Sequence, residues 1–156
     1  MTLSADDRMA LSDLAHRYAA NVDDREFDSA AKLFTATAEL AVPDPPASLE
    51  PIRSHRGQEA IAAAVAAVAA VTRTEHAIVG EVYDGTARPG AARGRVACIA
   101  HHWSQRGDEV ADVVWHLRYD DEYAVTDAGW RISRRALTIL AIETRPVRRV
   151  LPRDPA

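Results

Sequence analysis

The spacing of the apolar residues changes half-way along this chain of 156 residues. Up to about residue 71 they recur every three or four positions, which is typical of helices. From residue 74 onwards, segments rich in valine, isoleucine and aromatic residues alternate with turn sequences such as DG, PG and DAG, which is typical of antiparallel strands. Helices followed by a run of strands predict an α+β fold, in which the helices pack on one sheet.

The first helix has a clear beginning and end in the sequence. Ser4 and Asp7 form a Ser-x-x-Asp pattern that resembles a capping box. An apolar stripe at helical spacing then continues to Val22, after which Asp23 and Asp24 close the helix. We therefore expect an amphipathic helix that buries one face.

Two further helices and one loop complete the predicted N-terminal half. A short helix is expected over residues 27–34, with Asp24 as its N-cap, and an alanine-rich helix over residues 57–71. Residues 43–54 carry four prolines. Because proline lacks a backbone N–H and fixes φ, we expect this segment to be a loop.

Four long strands are expected in the C-terminal half, over residues 74–83, 92–105, 110–125 and 130–144. On the last strand the apolar phase slips by one residue between Ile132 and Leu137, which indicates a β-bulge that bends the sheet. The predicted architecture is three N-terminal helices packed into a strongly curved, mostly antiparallel sheet that forms a cone with an internal cavity. Residues 1–145 would form this single domain, and the polar residues 146–156 a flexible tail.

Charge and cysteine content exclude several functional classes. A net charge of −4 leaves no strongly basic surface for nucleic acid or anionic membranes. The single cysteine, Cys98, permits neither an intramolecular disulfide nor a cysteine-rich zinc site. No apolar run approaches the ~20 residues of a membrane span, and the acidic N-terminus predicts no signal peptide. We expect a cytoplasmic protein whose ligand is small and hydrophobic, since a curved sheet against slim helices favours an apolar cavity.

Three polar residues lie where this fold would place them beside the cavity. Tyr18 is on the buried stripe of the first helix, Asp23 is at its end, and His76 begins the first long strand. An aspartate that accepts from one histidine ring nitrogen makes the other nitrogen more basic, and a buried tyrosine hydroxyl can polarise a substrate oxygen. Tyr18 and Asp23 are roughly 140° apart on a regular helix, so they converge only if Asp23 belongs to the following turn. Each residue also has a structural interpretation, as a core tyrosine, a capping or solvated aspartate and a structural histidine.

Four more residues are candidates to line the pocket: His101, His102, Trp115 and Tyr119. The two histidines are adjacent on one strand, so they point to opposite faces and at most one can reach the cavity. The sequence shows neither the ligand spacing of a metal site nor a glycine-rich phosphate loop, so we expect no metal and no cofactor. The arginines at 131, 134 and 135 either form a solvated face or include one that reaches a polar group of the substrate.

Four segments, in this order, carry a resemblance to a known family: LAHRYAANVDDREFDSAAKLF, RGQEAIAAAV, TEHAIVG and RYDDEYAVTDAGWRISRRALTIL. Across roughly residues 8–143 the chain resembles the SnoaL-like group of the nuclear-transport-factor-2-like superfamily. That group includes polyketide cyclases, scytalone dehydratase, bile acid dehydratase, steroid isomerases, a hexachlorocyclohexane dehydrochlorinase and epoxide hydrolases. In the dehydratase-like members a tyrosine, an aspartate and a histidine form the acid–base set. The resemblance implies that Tyr18, Asp23 and His76 have these roles here.

The resemblance therefore predicts a cofactor-independent lyase or isomerase of the dehydratase or cyclase type. Its substrate would be a small hydrophobic cyclic or polyketide- or steroid-like compound. Two other functions remain open: a non-catalytic ligand-binding or assembly module of the same fold, and an epoxide or ester hydrolase. Because many relatives are dimers through the sheet, we also expect a homodimer or a higher homo-oligomer.

Overall fold

The structure is a computed structural model and describes residues 2–153. Its elements, in chain order, are α1 (Ala5–Asp23), α2 (Phe27–Ala31), β1 (Phe34–Asp44), β2 (Ser48–Arg56), α3 (Gln58–Val65), a 3-10 helix (Ala66–Ala70), β3 (Arg73–Gly85), β4 (Ala91–Arg106), β5 (Glu109–Thr126) and β6 (Gly129–Val147). Over this part of the chain, no helix combines the length and the apolar character needed to cross a membrane.

The six strands form one sheet in the order β2-β1-β6-β5-β4-β3. All neighbours are antiparallel except β1 and β6, which run parallel. The pairing of β6 with β5 slips by one residue at Ser133 and again at Leu140, and such bulges bend a strand. The first slip confirms the bulge predicted between Ile132 and Leu137. The α+β class, the three helices and the mostly antiparallel, curved sheet are confirmed.

Helix α1 begins at the predicted capping box. The Ser4 side-chain oxygen accepts from the Asp7 backbone N–H at 3.0 Å, and the Asp7 carboxylate accepts from the Ser4 backbone N–H at 3.0 Å. The Asp7 carboxylate also accepts from the Trp130 indole N–H at 2.9 Å, which ties the start of α1 to β6. The buried stripe from Leu11 to Val22 packs α1 into the core of the domain.

The predicted loop over residues 43–54 is wrong, because most of this segment forms β1 and β2. Strand β2 is at the edge of the sheet. A proline such as Pro51 is tolerated there, because an edge strand has a neighbour on one side only and does not need every backbone N–H. Pro43 falls where the pairing of β1 with β2 shifts register. Since β2 is largely exposed, its side chains also lack the apolar alternation by which a strand is recognised.

The second helix is shorter than predicted. It ends at Ala31, and Phe34 begins β1. Asp24 does not cap this helix, whose N-cap is Glu26, but forms the C-cap of α1. Because α1 remains helical as far as Asp23, Asp24 is the C-cap of the first helix and cannot also be the N-cap of the second.

The C-terminal segment differs from the predicted flexible tail over 146–156. Strand β6 continues to Val147, Val150 is buried, and the Arg73 guanidinium donates to the Leu151 carbonyl at 2.8 Å. As far as Arg153 the segment therefore makes defined contacts with the domain, and residues 154–156 of the predicted tail lie outside the described residues.

Candidate active site

A small cavity lies between the helices and the inner face of the sheet. Its volume is about 190 Å³, and aliphatic side chains and Trp115 form most of its wall. The polar residues of the wall are Tyr18, His76, His102 and Tyr119. Larger grooves of about 420 to 750 Å³ lie elsewhere and contain none of the predicted catalytic residues. The small cavity is therefore the candidate active site.

His76 is oriented by Asp23. The His76 ring Nδ1 lies 2.6 Å from Asp23 Oδ1, and the His76 backbone N–H donates to Asp23 Oδ2 at 2.8 Å. The Thr74 hydroxyl donates to Asp23 Oδ1 at 2.9 Å. Because a carboxylate only accepts, the neutral ring of His76 carries its proton on Nδ1, and in that form Nε2 is available as a base. The predicted Asp23–His76 pair is thus assembled at the cavity wall.

The sequence suggested that Asp23 belongs to the turn after α1. In the structure it is the last residue of the helix itself. The end of α1 lies beside the start of β3, so the carboxylate meets Thr74 and His76 directly. Tyr18 faces the cavity one and a half turns earlier on the helix. Tyr18 therefore lines the cavity directly, whereas Asp23 is linked to the cavity through its bond to His76.

The negative end of α1 is neutralised by the C-terminal segment. A carboxylate at a helix C-terminus is unfavourable, because the helix dipole places partial negative charge there. The Arg153 guanidinium donates to the backbone carbonyl of Asp23 at 2.5 Å and to that of Asp24 at 3.0 Å.

A second arginine, Arg25, donates to the carbonyls of Val68 and Val71, which fixes the 3-10 helix that lines the cavity.

Tyr18 and Tyr119 enclose a buried arginine. The guanidinium carbon of Arg135 lies 4.4 Å from the ring centroid of Tyr18 and 4.0 Å from that of Tyr119. Arg135 also donates twice to the Asp121 carboxylate, at 2.9 and 2.7 Å. Burial raises the pKa of Tyr18, although the Arg135 charge opposes this. Tyr18 is therefore a neutral phenol at physiological pH, and a neutral phenol can donate a hydrogen bond.

His102 faces the cavity and stays neutral. Its Nδ1 lies 2.8 Å from the Val113 carbonyl, so the ring proton is on Nδ1 and Nε2 is an acceptor. Burial lowers the pKa of His102, and the neighbouring His76 adds to this effect. The ring centroids of His76 and His102 are 6.2 Å apart. Two imidazole acceptors therefore share one end of the cavity.

His101 lies on the opposite face of the sheet and does not line the cavity. It bonds to Asp112 at 2.6 Å through Nδ1, and its ring stacks on Trp103 with the centroids 5.2 Å apart. The reason is the two-residue period of a strand, which sends neighbours to opposite faces. Of the four candidate pocket residues, His102, Trp115 and Tyr119 line the cavity and His101 does not, in agreement with the expectation that at most one of the two histidines reaches it.

Two residues that support the site were missed in the sequence, and one was left undecided. Thr74 shares a strand face with His76 at two-residue spacing, a signal that could have identified it. Arg153 gives no such signal, because its partners lie 129 and 130 residues away. Among the three C-terminal arginines the structure buries Arg135, whereas Arg134 pairs with Glu39 at 3.1 Å.

Comparison with known families supports the resemblance. The family model of the SnoaL-like domain matches residues 4–136. The chain belongs to the SnoaL-like family. A comparison with curated proteins returns no match.

Within residues 2–153, no three histidine, cysteine, aspartate or glutamate side chains cluster in the manner of metal ligands.

Solved structures show the same fold at low sequence identity. An NTF2-like protein with a cystatin-like fold from Novosphingobium aromaticivorans has a TM-score of 0.64 and 22% identity, covering 86% of this chain and 82% of its own. A scytalone dehydratase-like protein from the same organism has a TM-score of 0.72 and 19% identity, over 96% and 94% of the two chains. A type 2 hexachlorocyclohexane dehydrochlorinase has a TM-score of 0.70 and 17% identity, over 95% and 93%. The SnoaL-like chain therefore has the NTF2-like fold.

Proposed function

We propose that this SnoaL-like protein is a cofactor-independent acid–base lyase or isomerase of the dehydratase or cyclase type. Its substrate is a small hydrophobic cyclic compound. The observation that carries the proposal is the hydrogen-bonded Asp23–His76 pair at the wall of an apolar cavity that Tyr18 also lines. Two structural neighbours are named after elimination reactions: a dehydratase, which removes water, and a dehydrochlorinase, which removes hydrogen chloride. These names support an elimination here.

The first step is removal of a proton from the carbon next to a substrate carbonyl. Nε2 of His76 takes the proton, and Asp23 stabilises the imidazolium that forms. The electron pair of the broken C–H bond moves onto the carbonyl oxygen. The Tyr18 hydroxyl donates to that oxygen and stabilises its negative charge.

The second step is loss of a leaving group from the next carbon. The electron pair on the oxygen re-forms the carbonyl, the pair of the enolate double bond forms the new carbon–carbon double bond, and the C–O bond breaks, so that hydroxide leaves with the proton that His76 carries. The products are an unsaturated carbonyl compound and water, so atoms and charge balance. If the substrate instead has a double bond conjugated with the enolate, the proton can return to the far carbon of that system, and the same residues then perform an isomerisation. Nε2 of His102 is an acceptor that can hold the hydroxyl group before it leaves.

The His76→Ala and Asp23→Asn variants test the proposal. We expect each to lower the rate at least 100-fold, since a positioned general base contributes roughly 10²–10⁴. The assay follows exchange of the proton next to the carbonyl of cyclic ketones in D₂O by NMR, and enone formation from cyclic 3-hydroxy ketones by absorbance. Circular dichroism should show that both variants remain folded.

The exposed His16 provides a matched control, because its ring lies on the outer side of α1. His16→Ala should keep the wild-type rate. Full activity in His76→Ala or in Asp23→Asn would overturn the mechanism. Binding of ketones that survives in His76→Ala, together with no turnover by the wild type, would instead identify a non-catalytic ligand-binding module.

A further inference from the structure

The volume of the cavity limits what it can hold. It is about 190 Å³, and an apolar cavity of about 150 Å³ is large enough for benzene. On that scale a ring carbon needs about 25 Å³, so the remaining space admits one or two further non-hydrogen atoms. A second fused ring brings four more carbons and about 100 Å³, which is more than the cavity has left.

The walls that set this limit are packed into the core. Leu40, Leu117 and Leu137 are between 1% and 9% exposed, so they cannot move aside without disturbing the packed interior. Opposite them, Ala64 of α3 closes the cavity with a methyl group only. Ala67 is the exposed member of the wall, so the cavity meets solvent there. A flexible substituent can extend through that opening, whereas a rigid fused ring cannot bend towards it.

The wall also lacks a partner for a charged ligand. No lysine, arginine, aspartate or glutamate side chain is among the described residues that line the cavity. Arg135 is not among the lining residues: it packs on the two tyrosine rings and is paired with Asp121 through Nε and Nη2, and only its buried Nη1 has no partner among the described residues. A carboxylate or phosphate inside the cavity would be buried without a counter-ion, which is strongly unfavourable.

From these observations we infer that the substrate is an uncharged compound with a single six-membered ring, which excludes fused polycyclic compounds. This inference rests on the proposed function for the chemistry of the ring, which carries a ketone and a hydroxyl group two carbons from it. The limit on ring number comes from Ala64 on one side and the packed leucines on the other.

A binding series on the wild type and on His76→Asn tests the size and charge limits separately from turnover. The ligands are cyclohex-2-enone, a two-ring decalone, a four-ring androstanone and cyclohexanecarboxylate. Binding is measured by protein-observed NMR at pH 7.5. We expect saturable binding of cyclohex-2-enone, with shifts at the cavity residues. Each of the other three should bind at least tenfold more weakly, and equal or tighter binding of the androstanone would overturn the inference.

Variants of the wall test which residues set the limit. Ala64→Leu should fill the cavity and reduce cyclohex-2-enone binding at least tenfold. Ala63→Leu, on the exposed side of the same helix, is the matched control and should bind as the wild type does. Leu137→Ala should enlarge the cavity and increase decalone binding at least tenfold, a gain that misfolding cannot produce. Unchanged binding in both Ala64→Leu and Leu137→Ala would show that ligands bind elsewhere.

The two proposals can fail independently. If cyclohex-2-enone binds with the expected size limit but 3-hydroxycyclohexanone is not dehydrated, the proposed elimination is wrong and the size limit stands. If the protein dehydrates a polycyclic hydroxy ketone as fast as 3-hydroxycyclohexanone, the elimination stands and the limit to one ring is wrong.

Discussion

His102 shows how the environment of one residue decides its chemistry. Its ring packs against that of Trp115, with the centroids 4.6 Å apart, and makes an edge-to-face contact with that of His76, with the centroids 6.2 Å apart. Burial lowers its pKa below the ordinary value of 6.5. A neutral imidazole with its proton on Nδ1 can accept a hydrogen bond from a ligand hydroxyl but cannot protonate it. In the proposed mechanism this assigns proton transfer to His76 and leaves His102 to hold the hydroxyl group.

The lowered pKa of His102 makes the stability of the protein depend on pH. Below pH 6.5 the unfolded chain binds a proton at this residue before the folded protein does, so the free energy of unfolding falls as the pH falls through this range. One such group contributes a slope of up to about 1.4 kcal/mol per pH unit. In His102→Asn, whose side-chain amide can still donate to the Val113 carbonyl, this contribution should be absent. Urea unfolding of both proteins between pH 5 and 7.5 measures it, and parallel pH profiles would contradict the prediction.

The end of α1 illustrates what one element needs from the rest of the chain. The helix has no basic residue in its last turn, and its final residue is the aspartate that orients His76. Its C-terminal carbonyls are bound by Arg153, which arrives from beyond β6. A charged donor at this end offsets the unfavourable interaction of Asp23 with the helix dipole. The segment after β6 is thus part of the support of the candidate site.

Removing the Arg153 side chain should weaken this support. We expect Arg153→Met to lower the free energy of unfolding by about 1 kcal/mol, within the range of charge interactions at helix ends. Arg153→Lys should restore part of the loss because it keeps the charge, and Arg148→Met, at an exposed position in the same segment, should have no effect. Urea unfolding measures stability, and the His76 ring N–H resonance reports the bond to Asp23. An unchanged resonance and unchanged stability in Arg153→Met would contradict the prediction.

At the scale of the whole molecule, one buried ion pair joins the sheet to the first helix. Arg135 of β6 and Asp121 of β5 are both buried and bonded to each other, and the Tyr123 hydroxyl donates to Asp121 at 2.7 Å. The Arg135 guanidinium packs on the ring of Tyr18 from α1. The pair thereby holds a proposed catalytic tyrosine against the inner face of the sheet.

A double-mutant cycle tests how strongly this pair is coupled. Arg135→Met and Asp121→Leu each leave a buried charge without its partner, so each should lower the free energy of unfolding by about 3–5 kcal/mol. The double variant should lose less than the sum of the two, because it leaves no unpaired charge. Chemical denaturation measures all four proteins. Additive losses would show that the two residues stabilise the fold independently.

The homodimer is a separate prediction at this scale. The sheet carries exposed apolar side chains at Val79, Val82 and Leu140, of the kind that a second copy could cover. Sedimentation velocity should give a dimer for the wild type and a monomer for Val82→Glu. Val125→Glu, at an equally exposed valine beside the β5–β6 turn, is the control and should remain dimeric. A monomeric wild type would contradict the prediction.

Local patterns in the sequence were sufficient to predict most elements. The Ser4 capping box, the apolar stripe of α1, the four long strands and the bulge in β6 depend on residues close together in the chain, so their spacing is enough to predict them. Strand β2 was missed because a proline is tolerated at a sheet edge, and position in a sheet is a property of the fold.

The tertiary structure alone decided which side chains meet. Asp23 and His76 are 53 residues apart and Arg153 lies 130 residues from Asp23, so no local spacing could show that they touch. The same holds for the choice of His102 over His101, because the face that a strand residue occupies depends on which side of the sheet the helices cover. The size of the cavity also follows only from the folded chain, since volume is set by packing between elements. The sequence by itself determined most of the elements and the family, and the packing of the elements determined the site.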